Sequence, residues 1–387
     1  MTRWPRRGCA TEVAHPRSAC GASPSRGHAS GPAEPDPRRS LGNALVWSGA
    51  SSHAIDRRQA LTLLAGTVLC APAAATMRRE SGFMFGSPIE LLLAPDAPPT
   101  RSAAVMSGLQ AINDRWNAWK PGDVSALNQA FREGRSASAS PALRALIRNA
   151  AWLEQRSLGC FNAGIGGLVG AWGFHDDELR PGARPTASTL AGWTAARPSL
   201  AQLEIRGDQV ASRNPHLQLD FGGIAKGAAL DWALDHLHAR GSRDALLNLG
   251  GNLAAMGRAG ARPWSIGIRD PEQPGLLATL QTAGREAVVT SGSYERFRLL
   301  DGQRCTHILD PLRGAPAPEL VSVTVVHRSA TLADAAATAL LVAGPERWPR
   351  VAQRMGVNQV LVVDRRGRIN VTAALAPRVS LHASDRA

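Results

Sequence analysis

The sequence predicts an α+β fold in which mainly antiparallel strands are flanked by helices. Three observations predict it. Helical spacing of apolar residues clusters near residues 100–160 and again beyond 330, with short strand-like runs between. Asp301-Gly302 sits between two of those runs, the pair that a two-residue hairpin favours. The glycine-rich stretch CFNAGIGGLVGAWGF (160–174) has GxGxxxG spacing, no clear strand before it and the polar HDDELRPGARP after it. A doubly wound parallel sheet with a dinucleotide turn therefore fails on context.

In chain order, GSPIELLLA (86–94) alternates and then turns apolar, as an early strand does. Val105, Leu109, Ile112 and Trp116 mark an amphipathic helix over 103–119, which KPGD (120–123) breaks. A short helix covers 124–132, and Pro141 opens a longer one to about residue 158, at the position where proline costs least. Residues 175–200 are polar and proline-rich and read as a surface excursion. Strands are expected at 201–206, 209–212 and 216–221, then a helix over 224–240. ALLNLG, NLAAMG, WSIGIRD, LATLQTA, EAVVTSG, FRLLDGQRCTHILD and ELVSVTVVH follow as strands. Helices over 331–343 and 345–355 and the hairpin QVLVVDRRGRINVTA close the chain. Neither an internal repeat nor a linker interrupts residues 80–375, which read as one unit.

The 387 residues carry a formal charge of +13, yet this is no nucleic-acid footprint. Residues 1–75 hold nine arginines against Glu12, Glu34, Asp36 and Asp56, so +5 lies outside the core, and the rest forms no basic run. Residues 1–55, rich in Ser, Gly, Pro and Arg, read as a disordered leader or as upstream sequence that is never translated, with the true start near Val46. Residues 56–75 read as a twin-arginine signal peptide: Arg57-Arg58, an apolar stretch too short to span a membrane, then small-residue cleavage sites. The mature protein is thus expected in the periplasm, not membrane-spanning, with Cys160 and Cys305 as its remaining cysteines, bridged or free.

Of 44 basic residues only Lys120 and Lys226 are lysine. Lys226 lies in LDFGGIAKGAALD, where a strand ends at Asp220, two glycines turn the chain and a helix begins. Amides of residues 222–225 at that helix start would attract an anion, whereas a bare ammonium there is unfavourable unless an anionic ligand reverses the sign. Asp334 and Thr338, four apart, share a helix face and suit a hard cation with backbone carbonyls; equally, Thr331 and Asp334 are spaced as a capping box, with Asp334 as the third helical residue. His307 and Asp310 in THILDP offer a group titrating near neutrality and a carboxylate, or a structural histidine and an Asp-Pro turn. Thr290, Ser291 and Ser293 form a polar rim or a plain loop.

Together GS-P (86–88), AWKPGDVSALN, FNAGIGGLVGAWGF, LDFGGIAKGAALD, LLNLGGNL, VTSGSYERF, THILDP and LADAAATALLVAGPE occur in the order that resembles the ApbE family, from about Phe85 to Asp364. The resemblance implies a T-fold-related single catalytic unit. It implies Mg²⁺-dependent transfer of the FMN half of FAD to a Thr or Ser hydroxyl of a periplasmic or membrane-associated target flavoprotein, with AMP leaving. It places Phe85, Trp119, Cys160, Phe161, Asn162, Asp220, Lys226 and Leu309 at the flavin nucleotide. The Gly223 carbonyl, Asp334 and Thr338 fall at the metal, and His307 and Asp310 at the reacting phosphates. Relatives generally have methionine where Phe85 stands and aspartate where Asn162 stands. Those departures keep open an FAD-binding delivery protein, or an FAD pyrophosphatase using the same metal site.

Overall fold

The computed structural model describes residues 77–382 apart from 177 and 318. The leader and signal readings over 1–55 and 56–75 lie outside the described residues. Arg78–Met84 (β1) and Ser87–Leu93 (β2) form the first hairpin. Phe85 and Gly86 between them both take positive φ, 53° and 66°, the backbone that a two-residue hairpin turn requires. Sequence reasoning began the fold at the second of these strands and missed β1, whose RRESGFM pattern is half exposed along an edge.

Three helices follow, Pro99–Trp116 (α1), Asp123–Arg132 (α2) and Pro141–Arg156 (α3), with the two-residue strand Ala137–Ser138 (β3) between the last two. The first begins at Pro99 and ends before Trp119, because Asn117 Oδ1 accepts the amides of Trp119 and Lys120 and turns the chain out. Gly166–Ala171 (α4) follows the glycine-rich loop. The expected surface excursion contains a helix, Ala187–Ala196 (α5), capped by Thr186 and with no buried residue. Leu203–Arg206 (β4) and Gln209–Ser212 (β5) form strands within the expected stretches and pair antiparallel, but 216–221 joins no ladder. Gln218 makes one isolated bridge to Ile165 instead, since the backbone must bend there toward Ala225–Ala239 (α6).

The remainder is Ala245–Leu249 (β6), Asn252–Met256 (β7), Ser265–Arg269 (β8), Leu276–Gln281 (β9), Glu286–Gly292 (β10), Phe297–Leu300 (β11), Gln303–Thr306 (β12), Leu309–Asp310 (β13), Ala315–Pro316 (β14) and Leu320–His327 (β15). Ala330–Met355 (α7), Val360–Asp364 (β16), Ile369–Val371 (β17) and Val379–Leu381 (β18) complete it. The two expected C-terminal helices are halves of α7, kinked where Gly344 takes φ 73°. Gly344-Pro345 explains the break: glycine tolerates that backbone and proline cannot donate across it.

Eight strands make one sheet in the order β1-β2-β6-β7-β10-β15-β16-β17, every neighbouring pair antiparallel. Its central strands are buried on both faces, which is why they read as apolar runs rather than alternations. Leu91, Leu247, Val289, Val323 and Val362 face the helices; Leu92, Leu246, Val288, Val326 and Leu361 face a three-stranded sheet, β18-β9-β8, around Trp264. A satellite core of Leu168, Trp172, Phe174, Leu300, Cys305 and Leu309 supports the glycine-rich loop. Cys160 and Cys305 are both buried and unbridged.

Candidate active site

Antiparallel register brings three turns to one end of the large sheet. Gly250 donates its amide to the Pro88 carbonyl, which sets the β6–β7 turn beside the start of β2, and the end of β10 runs past the same turn. Gly250 and Gly251 take φ 60° and 89°, and a Cβ on Gly250 would lie 2.6 Å from Ser87 Oγ and 4.0 Å from Lys226 Nζ. Glycine is thus required by the backbone and by the close approach of Ser87, with the Lys226 ammonium at contact distance beyond.

Lys226 is the second residue of α6. The outward amides expected around it are mostly spent: Gly222 donates to Asp220 Oδ1, and Ile224 and Ala225 donate to the Phe221 carbonyl. Positive charge at this helix start therefore rests on the ammonium more than on free N–H groups. Its acidic neighbours are Asp334 and Glu295; a Cβ on Gly251 would lie 4.0 Å from Glu295 Oε1.

Asp334 sits on α7 but not as its third residue. Ser329 caps that helix by accepting from the Leu332 amide, while Asp231 of α6 accepts from the amides of Ala330 and Thr331 and the hydroxyls of Ser329 and Thr331. With the start at Ala330, Asp334 lies a turn inside, and the capping-box expectation gives way to a cap supplied from another helix. Its carboxylate is 3% exposed, accepting from the Gly227 amide at 2.9 Å and Asn252 Nδ2 at 3.0 Å. Burial raises the Asp334 carboxyl above its ordinary range, while Lys226, the Gly227 amide and Asn252 pull the other way.

One turn on, Thr338 Oγ1 lies 3.3 Å from Ser291 Oγ, and a Cβ on Gly223 would come 3.2 Å from Thr338 Oγ1 and 3.5 Å from Phe161 Cε2. Gly223, Phe161, Thr338 and Asp334 therefore meet where α6 packs on α7. The oxygens they present are hard and few, and no cluster of three His, Cys, Asp or Glu occurs among the described residues. Asn252 Oδ1, buried beside Asp334, has no hydrogen-bond partner among them. That donor chemistry fits Mg²⁺, which keeps waters or substrate phosphates in its sphere rather than demanding a protein cage.

His307 belongs to the same cluster, sensing the charges of Lys226 and Asp220. The Arg296 carbonyl lies 2.9 Å from its Nδ1, which must carry the proton to donate there, leaving Nε2 as an acceptor. Burial pushes His307 down to about 4, so the expected titration near neutrality does not occur. Asp310, 3% exposed, accepts at Oδ1 from the Leu312 and Arg313 amides; its carboxylate holds its own turn. Leu309 is buried in the satellite core and Cys160, which opens the glycine-rich stretch, in the main core, where burial raises the thiol. Asn162 faces the loop instead of the cluster: Oδ1 accepts from the Gly164 amide at 2.7 Å and Nδ2 donates to the Pro198 carbonyl at 2.8 Å. The Phe85 amide donates to Asn113 Oδ1 at 2.6 Å.

Trp119 joins the cluster through a residue that sequence reasoning missed. The His175 ring stacks on Trp119, centroids 4.8 Å apart at 21°, and its Nε2 lies 3.3 Å from Asp220 Oδ2. Asn252 and Asp231 were missed as well, although both stand within segments of evident interest, because their partners lie 82 and about 100 residues away.

The ApbE family model matches residues 85–361. A relative from Rhodobacter capsulatus named FAD:protein FMN transferase is 40% identical over 320 residues, covering 82% of this chain; the chain spans 61% of that relative's length. A Vibrio cholerae protein of the same name is 32% identical over 261 residues, covering 66% of this chain and 77% of its own. Among solved structures, the ApbE protein of Thermotoga maritima superposes with a TM-score of 0.72 at 25% identity, and the flavin transferase ApbE of Vibrio cholerae with 0.69 at 27%. Each covers 78% of this chain and 99% of its own. With a family model spanning residues 85–361 and a fold shared over 78% of its length with solved members, the chain belongs to the ApbE family.

Proposed function

We propose that this protein transfers the FMN half of FAD to a Thr or Ser hydroxyl of a target flavoprotein, that it depends on Mg²⁺, and that it works outside the cytoplasmic membrane. The carrying observation is the junction of α6 and α7, where one ammonium, one buried carboxylate and one hydroxyl meet below two glycine turns. Beyond the acidic neighbours of Lys226, which are Asp334 and Glu295, a diphosphate would add the negative charge that makes an ammonium favourable at a helix start. A lysine holds it as a point charge that can be released, where an arginine fork would clamp it. Gly223, Asp334 and Thr338 would hold the metal, which when bound neutralises charge growing on the phosphate oxygens.

The target hydroxyl attacks the FMN-side phosphorus; that O–P bond forms as the bond to the AMP oxygen breaks. Lys226 offsets charge on the bridging and leaving oxygens, the electrostatic help that usually dominates such transfers. His307, neutral at pH 7 with Nε2 unprotonated, accepts a hydrogen bond from the attacking hydroxyl and takes its proton only as the O–P bond forms and acidifies it, since burial leaves it a weak base; Asp310 is committed to its turn. Among the described residues no helix is long and apolar enough to cross a membrane, which is compatible with an exported catalyst acting on a membrane-associated partner.

The test is incubation of the purified protein with FAD, Mg²⁺ and an acceptor peptide, reading covalent flavin fluorescence on the peptide. Asp334→Ala and Lys226→Ala should each lower the rate at least a hundredfold, the order expected for losing one preorganised electrostatic contact, about 2.7 kcal/mol or more. Wild-type labelling by Asp334→Ala would refute the metal assignment. Free FMN and AMP without acceptor would point to hydrolysis instead.

A further inference from the structure

The segment Trp172–His175 bears on both halves of the site. Trp172 and Phe174 are 4% and 1% exposed, and Trp172 Nε1 donates to the Gly314 carbonyl at 2.9 Å, so the segment is anchored in the satellite core. Phe174 meets the His307 ring edge-on at 6.3 Å. The next residue, His175, turns the opposite way, onto Trp119 and Asp220. Room for it is provided by Gly170, where a Cβ would lie 3.0 Å from His175 Nδ1.

Asp220 is thereby held at both oxygens: Oδ1 by the Gly222 amide at 2.8 Å and Oδ2 by His175. Trp119, which follows the end of α1 on an Asn117 turn, has its indole face fixed by the imidazole. Neither the core nor a secondary-structure ladder makes these two restraints. His175 links the aromatic plate, Trp119, to Asp220 and so to the turn that leads into Lys226.

We propose that His175 is a positioning residue of the flavin site: it clamps the Trp119 ring and the Asp220 carboxylate into one arrangement and so sets affinity for the flavin end of the substrate. This rests on the transferase reading above. A preformed plate spares the ligand the cost of ordering it, so loss of the clamp weakens binding and leaves the bond-making step alone. The imidazole does not touch the reacting phosphates in this scheme.

The experiment titrates wild type, His175→Ala and His175→Phe with FAD, followed by flavin fluorescence, and with ADP, which lacks the flavin. His175→Ala should weaken FAD roughly three- to tenfold, the range for one aromatic stacking contact, while leaving ADP affinity unchanged. The unchanged ADP value also certifies the fold. In the transfer assay KM should rise by the same factor with kcat held within about twofold. His175→Phe, which keeps a stacked ring but not the Asp220 contact, should recover part of the loss. FAD affinity in His175→Ala equal to or tighter than wild type overturns the proposal, the tighter case meaning that the imidazole blocks the plate. A wild type that binds ADP but no FAD overturns the transferase reading too.

Discussion

Asn162 shows how one amide decides between a ligand role and a loop role. The family resemblance makes it a lost carboxylate at the flavin; the structure spends both of its polar atoms on Gly164 and Pro198. Asn162→Asp would set an oxygen against the Pro198 carbonyl, so we expect a loss of roughly 1–3 kcal/mol in urea unfolding. FAD affinity should not change; tighter FAD binding would restore the ligand role. His307 gives a residue-scale pH prediction. Its folded value lies near 4 against an ordinary 6.5, so between those values the unfolded chain binds a proton that the folded chain refuses. Its contribution to stability is therefore lost as pH falls from about 6.5 to about 4, and unfolding of His307→Gln across that window should show a shallower decline. At this scale the sequence was legible where chemistry is carried by rare residue types, as with Lys226. It was illegible for His175, because an unpatterned polar stretch does not reveal which of its members folds inward.

Among the elements, the crossing of α6 and α7 matters most. Gly227 lets them touch: a Cβ there would lie 2.2 Å from the Ala330 carbonyl and 2.8 Å from Asp334 Cβ. Gly227→Ala must push α7 away, and we expect a loss of about 1–3 kcal/mol on thermal unfolding, together with weaker Mg²⁺ binding read by calorimetry. Unaltered values in both would mean that the helices yield without moving Asp334. The long amphipathic helices were plain in the sequence from periodicity, whereas the helix within the polar stretch 187–196 and the joining of the two C-terminal helices across Gly344 were not. Nor were helix ends, since they depend on caps drawn from elsewhere, such as Asp231 reaching the start of α7. The strand expected over 216–221 failed for a related reason: Asn128 takes the Leu219 backbone at both its N–H and its carbonyl, in place of a neighbouring strand.

For the molecule as a whole, antiparallel pairing was readable from hairpin signals and apolar runs, but strand order was not, because β2 meets β6 across more than 150 residues. That order gathers residues from Phe85 to Thr338 at one sheet end, so ligand binding should report on the entire fold. FAD with Mg²⁺ at about a hundredfold excess over the dissociation constant should raise unfolding stability by about 2.7 kcal/mol. A scanning-fluorimetry midpoint that FAD and Mg²⁺ leave unmoved would contradict the site.

Gly227 and Asp334 carry one more implication. A single carboxylate ties the first turn of α6, beside Lys226, to the helix face proposed to hold the metal. Under that proposal, cation and nucleotide would pull on a common tether. By thermodynamic reciprocity, whatever factor the ion adds to nucleotide affinity the nucleotide returns to the ion, and cutting the tether should uncouple the two while each still binds weakly alone.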